Sequence, residues 1–166
     1  MENLKNLKDL FLEQIRDLYQ GEKRQLDSLN YISEQTTNSK LKQLVNDHVS
    51  NTEDQIQRLE RVFADLYEEY EGEKGKPMKA LIKEARVLLS RCEDPEIRDA
   101  AAITALQHID HYEIAGYGAA CTYAKMLDMT EIADMLHQSL EEEKRSDRKL
   151  AMLAEESINQ EAIHPH

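Results

Sequence analysis

Tryptophan is absent from the 166-residue chain, and phenylalanine (two), cysteine (two), proline (three) and glycine (five) are scarce. Cys92 and Cys121 are far apart and outside any C-x-x-C spacing, which argues against a disulfide framework and a structural zinc site. No alternating run of β-branched residues lies between turn formers, so strands have no support. No apolar run approaches the length of a membrane span. The opening Met1-Glu-Asn-Leu-Lys5 lacks the apolar core of a secretory signal, so a reducing cytoplasmic setting is expected. Positive charge is also short. Against 33 Asp and Glu stand 21 Lys and Arg, and the formal charge of −12 disfavours nucleic acid and anionic membranes as partners.

What is abundant is Leu, Glu, Lys, Ala and Gln, spaced for helices. The length suits one domain, expected over residues 1–158, with a flexible tail at 159–166. A first helix is predicted from Leu4 to Gln35, capped by Asn3 or Asn6, with Leu7, Phe11, Ile15, Leu18 and Leu29 inward. A second, capped by Ser39, runs from Lys40 to Glu69 with Leu41, Val45, Leu59 and Phe63 inward. Gly72, Gly75 and Pro77 break the chain in the connection from Glu71 to Asp94. Within it, Met78 to Arg91 reads as a short helix packing through Leu81, Ile82, Ala85, Val87 and Leu88. Lys74, Lys76, Lys79, Lys83 and Arg86 there read as a solvated basic face. Asp94-Pro95 restarts a helix to Leu127, and Thr130 caps the last one. Short turns within each hairpin and one long crossover predict an all-α, ferritin-like four-helix bundle, two antiparallel helical hairpins with an extra short helix in the crossover.

Each inward stripe carries polar intruders. Glu22 interrupts the first, with Gln25 one turn on. His48 and Thr52 share the second, with Glu53 on its flank about 100° from Thr52. Asp110 and Glu113 lie with Ile103, Leu106, Tyr117 and Ala120, and Glu143 and Asp147 lie on the fourth. Reflection about the hairpin turns sets Glu22 beside His48, Thr52 and Glu53, Glu113 beside Glu143, and Asp110 level with Asp147. Buried acids without cationic partners are costly. One such acid can snorkel or stay protonated; several converging at one level point to a bound cation. Carboxylates with at most one imidazole suit iron or manganese, as a pair bridged by acids.

Other features carry less. His108 and His111 point off the apolar stripe, His111 toward the crossover or a partner chain, and His137 is expected to be exposed. Gly116, Gly118, Ala119 and Ala120 are expected to let helices approach closely. Cys121 reads as inert core. Tyr117 is inward, one turn from Glu113.

Four stretches resemble the YciF-like stress-protein family of the ferritin-like superfamily: Asp17-Leu-Tyr-Gln-Gly-Glu-Lys23, His48-x-x-x-Thr52, Asp110-His-Tyr-Glu-Ile-Ala-Gly-Tyr-Gly118 and Leu140-Glu-Glu-Glu-Lys-x-x-Asp147. The resemblance implies a two-metal carboxylate site, a homodimer and a link to bacterial stress response. Glu22 and Glu113 would be bridging ligands and Glu143, Asp147 and Glu53 terminal ones, with Asp110 near them and His48 a possible ligand. Relatives of this type often have Glu where this chain has Ser50 and Asp110, and the four predicted bundle helices carry no Glu-x-x-His pair of the kind common in ferritin-like di-iron helices. Two functions follow as expectations. One is oxidant-directed redox chemistry at an iron or manganese pair. The other is a non-enzymatic stress-response bundle acting through dimerisation or a protein partner, its metal site weak or vacant. No catalytic residue can be assigned to either.

Overall fold

The computed structural model describes residues 3–70 and 75–163, and every regular element among them is helical. Helix α1 is Leu7–Gln35, α2 Ser39–Leu66, α3 Lys76–Ser90, α4 Pro95–Met126 and α5 Thr130–Leu153. Asn6 caps α1, its side chain accepting from Asp9 N, and Leu4 lies outside the helix at 51% exposure. Asn38 caps α2 by accepting from Lys40 N and Leu41 N, so Ser39, the predicted cap, is the first helical residue. Asp94 caps α4 with Pro95 in the first turn, as expected. The α4–α5 corner is made by backbone: Asp128 takes φ 57°, and Thr130 starts α5 without capping it.

Helix α2 stops before the predicted Glu69. Tyr67 adopts a left-handed conformation (φ 54°), and Glu68 N reaches Phe63 O to close the last turn. The predicted break at Gly72, and Lys74 of the basic face, lie outside the described residues. Gly75 enters α3 at φ 75°, where a Cβ would be strained. Lys76, Lys79, Lys83 and Arg86 are exposed. Met78, Ala85 and Leu89 make the buried face of α3, whereas Val87, read as a packing residue, is 42% exposed. Past α5 the chain continues through a π-helical turn, Ala154–Ile158, into a helical turn at Asn159–Glu161. The predicted frayed tail is therefore helical over its first residues, behind a fully buried Ile158. The tail histidines lie outside the described residues.

The helices α1 and α2 pack as one hairpin, α4 and α5 as another, and the α1–α4 and α2–α5 contacts close the ring. Helix α3 lies against α4 and α1. The apolar core is divided in two. One cluster holds Phe11, Ile15, Leu59, Phe63, Ala124 and Leu136. The other holds Leu29, Leu41, Val45, Ile103, Leu106 and Leu150. Between these stretches of each helix lies a layer of buried polar residues. No helix among the described residues is long and apolar enough to cross a membrane.

Candidate metal centre

Helical spacing delivers this layer. Residues three, four or seven apart share a face, and the inward faces present Glu22 and Gln25 on α1, His48, Thr52 and Gln55 on α2, Asp110, Glu113 and Tyr117 on α4, and Glu143 on α5. All of these are at most 2% exposed. No Lys or Arg is buried among the described residues.

His48 sits among the acids. Its Nε2 is 3.5 Å from Glu143 Oε2 and its Nδ1 3.7 Å from Asp110 Oδ1. Gln25 Nε2 lies 3.1 Å from Nε2, and Ser146 Oγ 3.2 Å from Nδ1. One ligating atom from each of His48, Glu113 and Glu143 falls within 4.8 Å of the others. Neighbouring side chains orient the acids. Tyr117 donates its hydroxyl to Glu22 Oε1 at 2.5 Å, and Gln55 Nε2 donates to Glu143 Oε1 at 2.7 Å. The same Gln55 nitrogen reaches Glu142 Oε2 at 3.3 Å, and the Arg58 guanidinium grips Glu142 with two bonds of 2.7 Å.

These bonds leave much unsatisfied. Both oxygens of Asp110 and of Glu113, and Oε2 of Glu22 and of Glu143, are buried without a hydrogen-bond partner. Burial, then repulsion from Glu143, pushes the Glu22 carboxyl well above its usual range, and burial and Glu22 do the same to Glu113. Asp110 is pushed up to about 7 by burial, against the opposing pull of His48. Burial alone would lower His48, but Asp110, Glu143 and Glu22 together raise it to about 10. A protonated ring needs an acceptor at each nitrogen. Ser146 Oγ serves Nδ1, and the Gln25 amide serves Nε2 once turned to present Oε1, an atom otherwise without a partner. One imidazolium cannot neutralise four acids. The bare carboxylate oxygens with a single imidazole are the hard donor set that iron or manganese takes.

Of the residues predicted as ligands, Glu22, Asp110, Glu113 and Glu143 come together with His48. Glu53 does not: it lies on the exposed face of α2, and the inward position belongs to Gln55. Asp147 stands at the rim, its side chain 20% exposed, accepting from Gln107 Nε2 at 2.9 Å and pairing with His111 Nε2 at 3.2 Å. His111 thus meets α5, where the crossover or another chain was expected. Gln55, Ser146 and the Arg58–Glu142 pair were not foreseen. Gln55 was readable, since positions 48, 52 and 55 follow one helical stripe; Ser146 and Arg58 gave no such signal.

The fold and this layer define a class: an all-helical protein whose core is interrupted by a carboxylate–histidine cluster. A family described as a domain of unknown function (DUF892) matches residues 6–163, and the chain belongs to it. It is 37% identical over 161 residues to Protein YciF of Escherichia coli strain K12, covering 96% of this chain and 97% of that one. The crystal structure of the E. coli stress protein YciF matches with a TM-score of 0.89 at 36% identity, over 94% of this chain and 99% of the other. YcfI of Rhodopseudomonas palustris matches at 0.87 and 34% identity, over 90% and 96% of the two chains. The chain thus resembles YciF over nearly its whole length, as its four motifs indicated.

Proposed function

We propose that the chain is a ferritin-like four-helix bundle that binds iron or manganese, as a pair of ions, in its polar layer and uses them against an oxidant. One observation carries this reading: four buried acids present oxygens without hydrogen-bond partners around one histidine, and no buried Lys or Arg among the described residues offsets them. Glu22, Glu113, Glu143, Asp110 and His48 would hold the ions. A redox-active metal pair supplies electrons to peroxide or dioxygen. The chain's own part is to hold the donors and keep water out. Tyr117 fixes Glu22, Gln55 fixes Glu143, and Gln25 and Ser146 fix His48, while the two apolar clusters seal the layer from the ends. Ligation of His48 requires its proton to leave and Gln25 to release Nε2. The test is to load metal-free protein with ferrous or manganous ion and follow hydrogen peroxide consumption and ferrous oxidation. Loaded protein inert in both assays would refute the redox reading.

The ion pairs of His48 with Asp110 and Glu143 favour a second reading, because they give the metal-free core a counter-ion of its own. In that reading the chain is a non-enzymatic stress-response bundle acting as a homodimer or through a protein partner. A metal-free protein that needs no ion for stability, and assembles without one, would support it.

A further inference from the structure

A recess of about 30 Å³ opens between α2 and α5, lined by Asp47, His48 and Asn51 on one side and Glu142, Ser146 and Lys149 on the other. That space holds one or two waters. His48 forms its inner wall: the ring lines the recess, is 2% exposed, and faces Glu143 and Asp110. Glu142, in the recess, and Glu143, in the buried cluster, share the Gln55 amide. Oxygen donors thus lead from solvent to the unpartnered acids, with one side chain between.

We infer that this recess is where a divalent metal cation enters, passing Asp47 and Glu142 and reaching the acids when the His48 ring swings aside. The inference rests on the metal-binding reading. Carboxylate, amide and hydroxyl oxygens can replace the waters of a hard cation one at a time. The formal charge of −12 on the chain draws cations to its surface and repels anions. Lys149 and Arg145 at the recess, and Arg58 bound to Glu142, oppose that attraction and set its strength. Swinging the ring aside exchanges only side-chain contacts, the bonds to Gln25 of α1 and Ser146 of α5 and the pairs with Asp110 and Glu143, and an entering cation takes the place of the imidazolium beside the two acids.

The experiment follows manganous ion uptake by the metal-free full-length chain, through loss of the free-ion electron paramagnetic resonance signal. Rate and final content are read separately. Asp47 and Lys149 are exposed, so charge changes there leave the core intact. Asp47→Lys should slow uptake about tenfold and Lys149→Glu should speed it, both with the final content of the unaltered chain. Asn51→Trp, which fills the recess, should slow uptake at least as much, with folding checked by circular dichroism. Uptake at the unaltered rate in all three variants would place the entrance elsewhere. An unaltered chain that takes up no manganese would overturn the metal reading and this one together, and final content separates that result from a misplaced entrance.

Discussion

Tyr117 of α4 and Glu22 of α1 share a hydrogen bond of 2.5 Å between two fully buried side chains. The phenol holds one carboxylate oxygen and leaves the other, Oε2, without a partner. The acid is thereby aimed by a group from the opposite hairpin. Tyr117→Phe removes that donor and leaves both oxygens of Glu22 bare. It should destabilise the metal-free protein by about 1–3 kcal/mol, measured by urea unfolding.

No Tyr, Gln or basic side chain among the described residues donates to Glu113, whose close neighbours are other acids. Replacing it with Gln removes a buried acid that crowds Glu22 and Glu143 while keeping its shape. The melting temperature of the chelator-treated protein should therefore rise in Glu113→Gln. The rise that manganous ion confers on the unaltered chain should shrink or vanish. Thermal scans with chelator and with metal separate the two effects.

The pH dependence of the metal-free protein has a definite sign. Asp110 is raised to about 7 when folded, so it lowers stability progressively from its ordinary range of about 4 up to that value. His48 is raised to about 10, so its contribution is complete below about 6.5 and is lost as pH climbs through 10. Both make the metal-free fold less stable as pH rises from about 5 to 9. Metal binding displaces protons and should flatten or reverse that slope. Melting temperatures across this range, with and without manganous ion, check the sign.

Asp99 makes a prediction about the scaffold alone. Buried on α4, it accepts from Thr37 N, Thr37 Oγ1 and Asn38 N at 2.7–2.9 Å and clamps the α1–α2 turn. Asp99→Ala leaves two backbone N–H groups without an acceptor and should cost about 3 kcal/mol in urea unfolding. Metal content of the folded fraction should not change.

Gly116 and Gly118 should behave oppositely. A Cβ on Gly116 would fall 2.8 Å from Leu18 Cδ2 and 3.2 Å from Gln14 Nε2, so Gly116→Ala should cost about 1–3 kcal/mol. A Cβ on Gly118 meets nothing within 4 Å, and Gly118→Ala should stabilise α4 by about 0.5–1 kcal/mol. Urea midpoints of the two variants provide the comparison. Only Gly116 therefore serves the close helix approach that the small-residue run suggested for both.

Much of this was written in the helical period. The inward stripes of α1, α2, α4 and α5 place Glu22, His48, Asp110, Glu113 and Glu143, and reflection about two short turns brings them to one height. Periodicity assigns a face, and its resolution fails at the edges of that face. Glu53, about 100° from Thr52, fell to the solvent side, and Asp147 turned to Gln107 and His111 at the rim. Contacts between hairpins were less legible. The Tyr117–Glu22 bond, the Asp99 clamp and the Gln55 link from Glu142 to Glu143 each join residues more than sixty positions apart or on helices whose rotation the pattern leaves loose. Cap identities shifted by one residue because Asn38 precedes Ser39 and reaches two backbone N–H groups first.

The most direct test of the central claim is metal content per chain, by elemental analysis of protein grown with iron and manganese and purified without a histidine tag. Binding of a metal pair in the layer gives about two ions per chain, with a clear loss in Glu113→Ala. Less than about a tenth of an ion per chain, unchanged after reconstitution, would refute metal binding in the layer and leave His48 as the one buried counter-charge of the acids among the described residues.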